Sequence, residues 1–149
     1  MATIDEEMKT TFANEKHRFI SNVVYTGNWL RNRFADFLKP FRLSPQQFNI
    51  LRILRGAKDW VNMNDIKNRM VEKSPNTTRL CDKLVEKMLI ERRRSEEDRR
   101  VVYLKISNQG LQLLANIDVQ DDKGYTSFLD NVTDEEAKLV SKILDKLRG

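Results

Sequence analysis

Between Ser74 and Ile106 the chain carries its densest set of side chains able to engage a polyanion. Arg92, Arg93 and Arg94 precede the run Ser95-Glu96-Glu97-Asp98, and Arg99 and Arg100 follow it. An arginine at the tip of a hairpin is long enough to enter a minor groove, where narrow A/T-rich stretches concentrate negative potential. Left free, that side chain would lose up to ~2 kcal/mol of rotamer entropy on docking. Asp98, two residues before Arg100, can hold the guanidinium fork in place beforehand. Arg94, with Arg92 or Arg93, would then meet flanking phosphates. Just upstream, Ser74, Asn76, Thr77, Thr78 and Arg79 are residue types that read base edges. Asn pairs with adenine, Arg with guanine, and the Thr methyl touches thymine. Thr77 is the weakest of the five, because its spacing to Leu80 also allows it to face a core.

Side chains like these work only on elements that aim them. Ser74 is suited to cap a helix, and Pro75 to its first position, where a missing N–H costs nothing. Leu80, Cys81, Leu84, Val85 and Met88 then recur with a helical period, which predicts one buried stripe. Ile90 to Arg94 and the β-branched, aromatic run Val101 to Ile106 read as two strands of a hairpin. Upstream, Ser44-Pro45-Gln46-Gln47 is a capping box with Pro at the first helical position. Phe48, Leu51 and Leu54 mark that helix's core face, Ile50 and Ile53 widen it, and Gly56 closes it. Trp60-Val61 suits a short strand completing the hairpin's sheet. Asn62 caps the next helix, whose inner face is Met63, Ile66 and Met70. Two short helices joined by a turn, then an arginine-bearing hairpin, make a winged helix-turn-helix.

The flanks are helical. Phe19, Ile20, Val23, Val24, Leu30, Phe34, Phe37 and Leu38 follow the helical period from about residue 15 to 39, and Pro40 ends the run. Gly27 interrupts it, which suggests close packing, a bend or simple tolerance. Residues 1–14 show no pattern and read as an arm. After the hairpin, Ser107 caps a helix bearing Leu111, Leu114, Ala115 and Ile117, and residues 121–124 mark a break. Thr133 to Glu136 forms a second capping box. The last helix then shows Ala137, Leu139, Val140, Ile143, Leu144 and Leu147, with Tyr125, Phe128 and Leu129 before it. These flanking helices carry more apolar surface than one winged-helix core can cover, and the excess predicts a dimer interface.

Composition narrows the function classes. The formal charge of +5 is concentrated: residues 67–105 hold 12 basic and 7 acidic residues, whereas residues 107–149 hold 5 and 8. A basic patch of this kind is the footprint of phosphate binding. Cys81 is the only cysteine, so a disulfide-stapled secreted fold is excluded. No apolar run approaches the ~18 residues of a membrane span, and no signal-peptide core opens the chain; a cytoplasmic protein is expected, without a membrane partner. The glycosylation-like triplets at Asn76 and Asn131 are therefore chance matches. His17 is the sole histidine, and no metal-spaced cluster, phosphate loop or nucleophile elbow occurs. Neither catalysis nor a cofactor is expected. Cys81 lies in the apolar stripe as a small core residue, with redox sensing as the alternative.

The quoted residues also carry a resemblance. Leu43-Ser44-Pro45-Gln46-Gln47-Phe48-Asn49-Ile50-Leu51 is similar to the MarR family of bacterial transcription regulators. So are Thr78-Arg79-Leu80 with Lys83-Leu84, and Arg93 to Arg100 with Leu104 to Gly110. The likeness runs from about Phe19 to the C-terminus and is strongest between Leu43 and Gly110. One position departs. The family usually has Gly where Met88 stands, so the turn from recognition helix to first wing strand should form without a free left-handed residue.

The resemblance implies a two-fold dimer built by intertwined N- and C-terminal helices, and the same wing roles for Asp98 and Arg100. It also implies a small-molecule effector that releases DNA, for which Trp29, Phe34 and Phe48 are pocket candidates. The expected organisation is one mostly α domain over residues 1–149 with a small β wing. Its winged-helix DNA-binding region would span 43–106, and its dimerisation helices 15–41 and 107–149. The expected function is a homodimeric repressor on an inverted-repeat operator in double-stranded DNA. Alternatives are a winged helix serving protein contacts without DNA, and a redox-sensing regulator using Cys81.

Overall fold

The computed structural model describes the backbone of all 149 residues and every side chain except that of Asp122. The first element is a helix where an unpatterned arm was expected. Thr3 Oγ1 accepts the Glu6 N–H while Glu6 Oε2 accepts the Thr3 N–H at 2.8 Å, so α1 (Ile4–Met8) is capped in both directions. Ile4 is buried, and two polar contacts tie α1 to α2 (Glu15–Leu38): Arg18 to Asp5 at 3.2 Å, and the Tyr25 hydroxyl donating to Glu7 at 2.9 Å. The α2 helix runs through Gly27 unbroken, and a Cβ there would meet nothing within 4 Å. The glycine marks neither a bend nor close packing in the chain itself.

A 3-10 turn at Lys39–Phe41 absorbs Pro40, and Arg42 turns the chain with φ 56°. The expected capping box between Ser44 and Gln47 opens α3 (Pro45–Ala57). Its stop is Lys58 in the left-handed conformation, two residues beyond Gly56. Then come β1 (Val61–Asn62), α4 (Met63–Arg69) capped by Asn62, α5 (Thr77–Glu86), β2 (Ile90–Arg94), β3 (Val102–Ile106) and α6 (Asn108–Gln120). The strands form an antiparallel sheet in the order β1-β3-β2, with Val61 opposite Leu104 and Arg92 opposite Leu104 on its other side.

The core lies between α3, α4, α5, α6 and this sheet. Ile50, Leu51, Leu54, Ile66, Cys81, Leu84, Leu104 and Leu114 are all fully buried there, and Leu38 brings the end of α2 into it. Met88 is outside it at 66% exposure, contrary to the expected stripe, because α5 ends at Glu86. Met88 itself turns left-handed at φ 61°. Its N–H donates to the Val85 carbonyl and the Leu89 N–H to the Leu84 carbonyl, the paired bonds of a Schellman turn. The turn expected to lack a left-handed residue therefore has one, without glycine.

The break predicted around 121–124 is a wide turn, Asp121–Tyr125, with Gly124 at φ 109°, followed by a 3-10 turn at Ser127–Asn131. The second capping box opens α7 (Asp134–Arg148). Hydrogen bonds from the Thr133 backbone and hydroxyl to Glu136 hold that carboxyl below its ordinary range. No residue of α7 is buried.

Candidate nucleic-acid interface

The first turn of α5 starts two residues later than Ser74 and Pro75 suggested. Ser74 Oγ accepts the Asn76 N–H at 3.1 Å, closing a turn before the helix rather than capping it. Asn76 is the boundary residue and makes no side-chain cap. Thr77 is withdrawn from the surface at 1% exposure; its hydroxyl donates to the Ser74 carbonyl at 2.9 Å and touches Met70 Sδ. It joins the turn to the core and has no path to a base edge. Asn76, Thr78 and Arg79 remain exposed together on the first turn, with Ser74 half-buried beside them. The same face therefore offers an amide, a hydroxyl and a guanidinium to an incoming ligand.

The hairpin tip is held by its own side chains. Ser95 Oγ accepts the N–H groups of Glu97 and Asp98, and backbone bonds from Ser95 to Val101 and from Val101 to Asp98 close the loop. Asp98 Oδ1 accepts both the backbone N–H of Arg100, at 3.1 Å, and its Nε–H, at 3.2 Å. Arg100 is 91% exposed, yet its base is fixed to a carboxylate two residues away. Arg94 donates to the Arg99 carbonyl at 3.3 Å, bracing the opposite limb, and Arg99 is exposed.

Alternate residues of β2 face opposite ways, and this divides its arginines. Arg92 lies opposite Leu104 and its Nη1 meets Asp82 on α5. Arg93 lies opposite Tyr103 on the other face of the sheet. Its guanidinium sits 4.4 Å from the Trp60 ring centre and 5.8 Å from that of Tyr103. Either residue was a candidate for the same role, and the structure separates them. Arg92 stays beside α5, while Arg93 sits over two aromatic rings on the sheet's other face.

Between α2, α3 and α6 lies a cavity of about 480 Å³. Phe34 and Phe48 line it with Phe37, Tyr125 and Phe128, and Arg31, Arg52 and Asp118 add charge. Trp29 is not part of this lining. Its ring packs edge-on to Phe128 at 5.3 Å and, with Phe128 and Tyr125, encloses Arg33. The Arg33 guanidinium carbon is 5.0 Å from the Phe128 ring centre, 5.4 Å from Tyr125 and 5.6 Å from Trp29. Arg33 also donates to the Tyr125 carbonyl at 3.3 Å. Sequence reasoning missed this cage because its two sides are 92 residues apart. Cys81 is fully buried, and desolvation, then the neighbouring Asp82 charge, push its thiol up to about 12. That environment opposes the thiolate a redox sensor needs. Among the described residues no group of side chains is arranged to hold a metal ion, and no helix is long and apolar enough to cross a membrane.

Residues 43–102 match the model of the MarR family. The uncharacterised regulator YpoP of Bacillus subtilis, of the helix-turn-helix type, is 31% identical over 120 residues, covering 79% of this chain and 82% of YpoP. A second B. subtilis regulator of that type, YdgJ, is 26% identical over 107 residues, or 72% of this chain, and the match spans only 65% of YdgJ. Among solved structures, a cysteine-to-serine mutant of MarR from E. coli in complex with operator DNA superposes with a TM-score of 0.76. The superposition covers 92% of this chain and 99% of that one at 20% identity, and is a likeness of fold.

Proposed function

Because the chain belongs to the MarR family of transcription regulators, we propose that it acts as a homodimer on an inverted-repeat operator in double-stranded DNA, repressing until a small effector releases it. The observation that carries the DNA reading is the pairing of an exposed polar first turn on α5 with an exposed, braced Arg100 at the hairpin tip. In this reading Asn76, Thr78 and Arg79 meet base edges in a major groove, with Ser74 near the backbone. Arg100 enters the adjacent minor groove, and Arg92, Arg94 and Arg99 contact phosphates. The related fold seen on operator DNA in MarR supports this placement. The second copy is supported by apolar side chains left open on α2 and α7, and the effector by the aromatic cavity beside α3.

The test is a selection of bound duplexes from random DNA, followed by binding at several salt concentrations. An inverted repeat with half-sites roughly one turn apart, ~10 bp, is expected, because one dimer docks two helices on one face of the duplex. Affinity for it should fall steeply with salt as counterions are released. No enrichment and no salt dependence would make the fold a protein-contact module instead.

A further inference from the structure

We infer that Asp82 is a positioning residue for DNA binding: it anchors one edge of Arg92 so that the other edge bridges to a phosphate of the strand separating the two grooves. The inference rests on the DNA reading above and deepens it. If α5 lies in a major groove and the hairpin tip enters the adjacent minor groove, one strand of the duplex must cross between α5 and the hairpin. Asp82 on α5 and Arg92 on β2 join these two elements through Asp82 Oδ1 and Arg92 Nη1, and the inference puts the crossing strand beside them. Arg92 is on the sheet face toward α5, whereas Arg93 is occupied by Trp60 and Tyr103 on the far face. A guanidinium presents five N–H donors in a planar fork. Asp82 takes one, and the Arg92 guanidinium makes no other hydrogen bond among the described residues, so an edge of the fork stays open. Both side chains are a little under half exposed, at 42% for Arg92 and 45% for Asp82, which leaves that edge accessible.

The sign of the effect separates this from plain electrostatics. Asp82 puts a negative charge near phosphates, so on screened Coulomb reasoning its removal should tighten binding. As an anchor, its removal should weaken binding, because Arg92 must then be ordered by the DNA alone. The contact is to the backbone and carries no sequence information, so a fluorescein-labelled duplex of random sequence is a sufficient probe.

Four variants are titrated against that duplex over a salt series, with urea unfolding of each as a check on the fold. Arg92→Ala should lose about tenfold in affinity and lower the log–log salt slope by about one. Asp82→Asn should lose affinity by several-fold in the same direction. Arg92→Lys should keep the ion pair and the unfolding midpoint yet still bind weakly, because a point charge cannot bridge two acids as a fork does. The double variant Asp82→Asn with Arg92→Ala should bind no worse than Arg92→Ala alone. Binding by Asp82→Asn equal to or tighter than wild type, additive losses, or full activity of Arg92→Lys would overturn the inference. Absence of salt-dependent binding by the wild type would overturn the DNA reading itself, which is a separate outcome.

Discussion

Asp98 and Arg100 form an ion pair at the hairpin tip whose proposed role in DNA binding is far larger than its share in folding. The pair is exposed, 46% for the aspartate and 91% for the arginine, and such a pair adds little to folding. In the proposed DNA reading its value lies in holding Arg100 before DNA arrives. Asp98→Ala should therefore leave the urea midpoint unchanged and still weaken operator binding by roughly 1–3 kcal/mol, the scale of a charge-assisted contact. Arg100→Ala should lose at least as much, and the double variant little more, measured as a cycle at one salt concentration. Tighter binding by Asp98→Ala would reduce the pair to a surface contact. This pair was legible in the sequence because its partners are two residues apart. Arg93 was not, since Trp60 reaches it only through the strand order β1-β3-β2. Cys81 gives a second prediction at this scale. With desolvation and the neighbouring Asp82 pushing its thiol up to about 12, the thiolate is scarce at neutral pH, and burial blocks access as well. Iodoacetamide should label it only at the rate of unfolding, and rapid labelling of the native protein would restore the redox alternative.

At the scale of elements, the capping boxes at Ser44 and Thr133 were readable because both partners lie within one turn. The box at Thr3 and Glu6 carries the same signal, but five helical residues leave no periodicity to draw attention to it. Helix stops were harder to place. Lys9, Arg42, Lys58 and Met88 all take positive φ without being glycine, so the usual punctuation is missing where the chain turns. Gly110 is the opposite case. A Cβ there would lie 2.2 Å from the Leu89 carbonyl oxygen, which makes glycine the only fit where α6 crosses the α5–β2 turn. Met88 and Leu89 are thus held from two sides, since Ser107 Oγ also donates to the Met88 carbonyl at 2.7 Å. Two substitutions should move stability in opposite directions. Met88→Gly relieves a left-handed residue whose exposed side chain packs little, and should raise stability by about 0.5–1 kcal/mol. Gly110→Ala forces backbone apart and should cost ~1–3 kcal/mol. Urea midpoints at constant slope decide both, and a neutral Gly110→Ala would mean the α6 contact yields without cost.

For the whole molecule, the question is what sustains α7. It has 15 residues, none of them buried, and Leu139, Val140, Ile143 and Leu147 stand 59%, 50%, 42% and 51% exposed. An isolated helix of that length is marginal in water even with good propensity, and a capping box adds only ~1 kcal/mol. Burial of its apolar stripe must supply the rest, and among the described residues of this chain no element buries it. The α2 helix leaves Phe19, Ile20 and Val24 open, so a second copy can offer matching surface. The surplus was visible in the sequence as apolar positions beyond the needs of one core. Of the three aromatic pocket candidates Phe34 and Phe48 line the cavity beside α3, whereas Trp29 turns to Arg33, a contact that no local spacing announces. Leu147→Asp places a charge in the proposed seam, where burial without a partner costs several kcal/mol. Sedimentation at micromolar concentration should then show monomer where the wild type shows dimer. Amides of residues 134–148 should lose protection from hydrogen exchange, while those of the core strands and α3 keep it. Binding to a full inverted repeat should fall toward that of a single half-site, since two linked half-sites gain by effective concentration. A variant that stays dimeric with wild-type affinity would remove α7 from the interface, leaving its open apolar face to another partner.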